Sequence, residues 1–141
     1  RGLLQQQDIL CRWGGEEFLI LLRRVDITAA TVFTQRVLDD IGNNPVLVAD
    51  LPIHVTVSAG FLTFPFAELD EAVMGWNKAL QLADMALYLS KVHGRNRGYG
   101  LVKLHQPYHN IAQQLETDLS LAIEQGQVEV ALVEGPTRRT E

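Results

Sequence analysis

The chain has a single cysteine, Cys11, among its 141 residues. No intrachain disulfide can form, and a reducing compartment is the natural setting. Thiolate-rich zinc sites are excluded by the same scarcity. His105 and His109 stand four apart, but Pro107 lies between them and nothing completes a ligand set. Long apolar runs are lacking. No stretch reaches the roughly 20 residues needed to span a bilayer, and no leader-type segment is seen. An excess of positive charge is lacking too. The formal net charge of −5 argues against a broad nucleic-acid surface. The phosphate loop G-x-x-x-x-G-K-[ST] does not occur, because "GRNRGYG" has the wrong spacing. There is no initiator methionine, and the opening "RGLLQQQD" reads as the end of a helix. The chain is therefore expected to be a piece of a longer protein.

What is present is ordinary globular material. With 47% hydrophobic and 21% charged residues, one domain with a core is expected rather than disorder. "DILCRW" and "EFLILLRRV" predict two strands joined at Gly14-Gly15, where paired glycines permit a tight hairpin. Phe18 to Leu22 is continuously apolar, the pattern of a strand buried on both faces and central in its sheet. Ala30, Phe33, Val37 and Ile41 repeat at helical spacing, with Gly42 as the stop. "NNPVLVADLP" reads as a loop. Ile53, Val55 and Val57 alternate with His54, Thr56 and Ser58 in a half-buried strand, which Ala59-Gly60 bends into a second. Trp76, Leu80, Ala83 and Leu87 predict a helix from about residue 69 to 93, ended by Gly94, and "NRGYGLVKL" predicts a strand. Ile111, Leu115, Leu119 and Ala122 share one further helical face. Gly126 closes that helix, and Val128, Val130 and Leu132 alternate in a last strand. Cys11, Trp13 and Trp76 read as packing residues.

Two places carry chemistry. Glu16 and Glu17 sit at the hairpin tip. Paired carboxylates suit a hard divalent ion that leaves room for phosphate oxygens, although "GGEE" taken alone is more often a solvated turn. Lys91 and Arg95 lie four apart at the end of the long helix and so point the same way. They suit a polyphosphate, the lysine as a point charge and the arginine as a fork. In isolation, cations there simply meet the helix dipole.

Taken together, these stretches resemble a known family. "RWGGEEF" matches the signature of the GGDEF domain family, the diguanylate cyclases, in its GGEEF form. "VTVSAGF" is similar to that family's next strand pair, and "ADMALYLSKVHGRNR" to its late helix. The resemblance covers about residues 1–104. It implies an α+β fold, a ferredoxin-like or nucleotidyl-cyclase palm sheet flanked by helices. The first strand–helix unit would be missing, and residues 105–141 would form a helix–strand appendix. It also implies condensation of two GTP into cyclic di-GMP and pyrophosphate across a homodimer, with Mg²⁺ or Mn²⁺. Carried over by motif, Gly14 and Gly15 let the nucleotide lie against the hairpin. Glu16 is a metal ligand and the catalytic residue nearest the attacking hydroxyl. Glu17 supports the metal, while Lys91 and Arg95 hold the β- and γ-phosphates. A cytoplasmic location is implied, as such or as the cytoplasmic part of a larger sensor or membrane protein. Contact with nucleic acid or membrane is not expected.

The chain departs from the family in three ways. The strand carrying a metal-binding aspartate, and the helices that read guanine, have no counterpart before Gly14. The chain alone is therefore expected to turn over poorly. The family's inhibitory product site, R-x-x-D, reads here from Gln5 to Asp8. Asp8 is kept, the arginine is replaced by Gln5, and Arg36 matches a second arm. A neutral amide loses the forked, charged contact, so weak product inhibition is expected. Finally, "LETDLSLAIEQGQVEVALVEGP" is distantly similar to the opening of an EAL-type phosphodiesterase domain. Two alternatives follow: a non-catalytic GGDEF module that binds nucleotide or a protein, and the GGDEF part of a GGDEF–EAL phosphodiesterase. The intact acids speak against the first, because decayed modules usually lose them.

Overall fold

A computed structural model describes residues 2–65 and 75–137. The first hairpin is β1 (Ile9–Gly14) and β2 (Glu17–Leu21), closed by a two-residue loop, Gly15-Glu16. Gly15 has φ +53°, and glycine at the first loop position is what a tight hairpin turn of this kind requires. The register slips between Arg12 and Gly14, which leaves Trp13 as the extra residue of a bulge. Arg12 then pins the turn from the side, its Nε and Nη2 donating to Gly15 O at 3.1 and 2.8 Å.

This hairpin is not the buried centre that its composition suggests. Among the described residues neither strand bonds to a third. Phe18 is 62% exposed and Trp13 59%, and Cys11 is exposed as well. The expectations of a central β2 and of packed Trp13 and Cys11 therefore fail for one reason: burial on both faces needs neighbours on both faces. Trp76 is 41% exposed, and its ring meets Phe64 edge-on at 5.6 Å.

The helix α1 (Ile27–Asn43) starts where Asp26 Oδ1 accepts from Ala29 N–H at 2.7 Å, an N-cap that satisfies an otherwise orphan donor. Gly42 lies inside its last turn rather than stopping it, and the helix ends before Asn44-Pro45. The stretch expected as a loop forms a second hairpin, β3 (Val46–Val48) and β4 (Leu51–Ile53). Its turn residues Ala49 and Asp50 both have positive φ, 48° and 64°, the geometry of a tight hairpin turn without its usual glycine. The strand expected over Ile53–Ser58 does not form. Residues 54–58 lie between β4 and β5 (Ala59–Leu62), so the alternation there marks no ladder.

The core lies elsewhere. β6 (Arg97–Leu104) is the middle strand of a sheet ordered β5-β6-β7, parallel to β5 and antiparallel to β7 (Val128–Glu134). One face of β6 meets α1, where a Cβ on Gly98 would touch the Thr34 methyl. The other face meets α2 (Trp76–Val92). The backbone of α2 comes so close that any Cβ on Gly60 would collide with the Ala83 carbonyl. The buried stripe of α2 is Ala79, Leu82, Ala86 and Leu89, one position round from the expected stripe on Trp76, Leu80, Ala83 and Leu87. The part of that helix expected before residue 75 lies outside the described residues.

The tail joins the same core. Its single expected helix is two, α3 (Tyr108–Thr117) and α4 (Leu119–Glu124), broken at Asp118. Asp118 Oδ1 accepts from Leu121 N–H at 2.9 Å. Ile111, Leu115, Leu119 and Ala122 are all buried, in one cluster with Leu82, Ala86, Tyr99 and Leu101. Each large side chain buried there contributes roughly 1.5–3 kcal/mol. Lys78 of α2 reaches Glu116 of α3 at 2.5 Å, and Tyr108 Oη donates to the same carboxylate oxygen at 2.6 Å. Helices on both faces of a mixed sheet make this an α+β fold.

Candidate functional site

The two places singled out in the sequence meet in space. Glu17 begins β2, and Lys91 lies in the last turn of α2, 74 residues away. The Lys91 ammonium donates to Glu17 Oε1 at 3.4 Å, with the two side chains 30% and 39% exposed. Such a pair contributes little to stability, roughly 0–1 kcal/mol. Its significance is positional, because it sets the acidic turn against the cationic end of α2.

The remaining candidates surround that pair. Arg95 follows α2 in an exposed turn, its Nη1 donating to Lys91 O at 3.4 Å. Glu16 is exposed at the tip of the hairpin. Gly14 and Gly15 have nothing within 4 Å of where a Cβ would stand, so the glycine edge of the turn is open to a ligand. Two adjacent carboxylates, two cations and an open backbone edge are therefore neighbours.

The donor set bears on a divalent ion. Among the described residues no three acidic, histidine or cysteine side chains cluster. Glu16 and Glu17 alone would hold such an ion weakly. They fit Mg²⁺ only as it is commonly bound, through one or two carboxylates with the remaining positions given to water and phosphate oxygens.

Gln5, Asp8 and Arg36 are brought together as well, in a cleft of about 320 Å³ between the chain start and α1. Leu3, Val32 and Phe33 supply its apolar side. Asp8 is already engaged there. Its Oδ2 accepts from Gln5 N–H at 2.8 Å and its Oδ1 from Arg23 N–H at 3.1 Å. The carboxylate thus staples two loop segments. Arg23 is a second cation lining this cleft that the sequence does not announce, since it reads as the polar end of a strand.

Comparison with known proteins gives the family of the chain. Residues 1–97 match the family model described as "Diguanylate cyclase, GGDEF domain". The chain is similar to diguanylate cyclase A of Treponema denticola, 33% identical over 97 residues, which cover 69% of this chain and 25% of that protein. It is also similar to the diguanylate cyclase DgcP of Pseudomonas aeruginosa, 36% identical over 97 residues, covering 69% of this chain and 14% of that protein. A third relative is the probable diguanylate cyclase DgcT of Escherichia coli, 34% identical over 98 residues, covering 67% of this chain and 20% of that protein. The match thus spans a quarter or less of the length of these relatives. With its glycine–glutamate turn set against the cations ending α2, the chain belongs to the GGDEF family.

Proposed function

We propose that this chain is the GTP-handling part of a diguanylate cyclase, working as one half of a homodimer that joins two GTP into cyclic di-GMP. One observation carries the reading: the Glu17–Lys91 contact at 3.4 Å, which makes a single site of two motifs far apart in the chain. Lys91 and Arg95 bind the β- and γ-phosphates, and the open edge of Gly14 and Gly15 receives the nucleotide. Glu16 faces the 3′-hydroxyl and draws off its proton as that oxygen attacks the α-phosphate of the other nucleotide. Pyrophosphate leaves while the clamp residues neutralise its charge. Glu16 and Glu17 would hold a divalent ion, Mg²⁺ or Mn²⁺, which would supply additional charge neutralisation. When phosphate arrives, Lys91 exchanges Glu17 for it, which frees Glu17 for the cation.

The cleft of Gln5, Asp8 and Arg36 is a weakened product site in this reading. Gln5 offers no fork, and Asp8 is committed to Gln5 and Arg23. Product inhibition through it is expected to be weak.

The test is GTP binding and cyclic di-GMP formation with Mg²⁺, for the 141-residue chain and its Glu16→Ala and Lys91→Ala variants. Measurable GTP binding with poor turnover is expected for the chain. Lys91→Ala should weaken binding about tenfold, the loss of one charge-assisted contact. Glu16→Ala should remove whatever turnover remains while binding changes less. Absence of GTP binding would sink the substrate assignment. Efficient turnover by the chain alone would sink the expectation of a partial site.

A further inference from the structure

The turn that carries Arg95 contains three consecutive residues with positive φ: Gly94 at 123°, Arg95 at 61° and Asn96 at 48°. Two of these are not glycine, so their surroundings must hold them there. On the helix side, Arg95 N–H donates to Ser90 O at 2.9 Å. Arg97 Nε donates to Arg95 O at 3.1 Å. On the other side the hold comes from the far end of the chain. Gly135 N–H donates to Asn96 O at 2.9 Å, and Asn96 Nδ2 donates to Pro136 O at 3.0 Å. The end of β7 is itself fixed to α1. Glu134 O accepts from Gln35 Nε2 at 2.8 Å, and the Pro136 ring lies against Gly42.

Asn96 makes its link at some expense. Its Oδ1 is buried with no hydrogen-bond partner among the described residues. A buried amide that leaves one atom unsatisfied is costly, so the bond from its other end is what justifies the residue. Gly135 is fitted to the same contact, because a Cβ there would collide with that Oδ1.

Resting on the triphosphate reading above, we infer that Asn96 and the end of β7 are positioning elements for the phosphate clamp. They hold the strained turn so that the Arg95 guanidinium stays beside Lys91. α1, through Gln35 and Gly42, anchors the strut at its back. Residues 134–136 lie beyond the region matched to the family, so the bracing segment falls outside that match.

Asn96→Gly isolates the effect. Glycine keeps the left-handed backbone without strain, and it removes the side-chain link to Pro136 together with the unsatisfied Oδ1. Binding of GTP and of inorganic tripolyphosphate, each with Mg²⁺, would be measured for the chain, Asn96→Gly, Arg95→Ala and the double variant. Asn96→Gly should weaken both ligands by about threefold to tenfold, and the double variant should be no weaker than Arg95→Ala alone. Such non-additivity marks a residue that acts through another. Unchanged binding in Asn96→Gly beside weakened binding in Arg95→Ala overturns the strut and leaves the triphosphate reading standing. Fully additive losses overturn the strut as well. If Arg95→Ala and Lys91→Ala both bind GTP as the parent does, the triphosphate reading fails and takes the strut with it. Should circular dichroism show Asn96→Gly unfolded, Gln35→Ala replaces it with the same expectations. It frees Glu134 O at the back of the strut and leaves the charge beside the clamp unchanged.

Discussion

The β1–β2 hairpin and the β6 strand are both rich in apolar residues, yet they stand at opposite ends of the molecule's range of burial. Phe18 in the hairpin is 62% exposed, whereas Leu101 in β6 is 1% exposed. The difference lies in their neighbours. β6 has a strand on each edge and helices on both faces, while the hairpin pairs only with itself among the described residues. The acids of the candidate site sit on the hairpin, and the cations sit at the end of α2, the helix packed on β6. A ligand bridging Glu17 and Lys91 would therefore tie the hairpin to the core, as the half-exposed ion pair between them already does.

The largest expected effect tests this contrast directly. Leu101→Ala should lower the free energy of unfolding by about 2–5 kcal/mol, because it opens a cavity in a packed cluster. Phe18→Ala should change it by no more than about 0.5 kcal/mol. Urea unfolding of the two variants reads both, and equal losses would break the comparison.

A middle-sized effect tests whether the tail belongs to the firm region. Asp118→Ala removes the cap of α4 and should cost about 1 kcal/mol in the same titration. No change in the urea midpoint would mean that the cap of α4 adds nothing to the stability of the core.

The smallest effect concerns pH at the α2–α3 contact. Burial, then the bond to Glu116, raises the Tyr108 hydroxyl above its ordinary value. The folded state holds that proton more tightly than the unfolded chain. This contribution is complete below about pH 10, the free tyrosine value, and falls away as pH rises further. Glu116 runs the other way. The bond from Lys78, then that from Tyr108, lowers its carboxyl. Its contribution is present at neutral pH and is lost as pH falls through the carboxylate range. Tyr108→Phe should flatten the alkaline limb of a stability–pH profile and leave most of the acid limb. An unaltered alkaline limb would remove Tyr108 from the account.

Short-range features were largely legible in the chain itself. Gly14-Gly15 between two apolar runs announced the first hairpin, and "ALYLSKVHGRNR" announced a helix ending in cations. The second hairpin was not legible, since Ala49 and Asp50 adopt positive φ without the glycine that usually signals such a turn. Nor was the phase of α2. Small residues on it let β5 approach through Gly60, and that contact, rather than the bulkiest stripe, chose the buried face. Arg23 and Asn96 escaped notice for a similar reason. Each looks like an ordinary polar residue until the fold brings the Asp8 cleft or the Pro136 carbonyl beside it.

Local chemistry in the sequence was enough to determine which residues can turn, cap, carry charge and repeat at helical spacing, because those properties depend on a few neighbours along the chain. The meeting of Glu17 with Lys91 was decided only in three dimensions, as was the bracing of Arg95 by the end of β7 and the choice of β6 over β2 as the buried strand. Burial and long-range contact depend on what covers each face, and the covering elements are dozens of residues away in the chain.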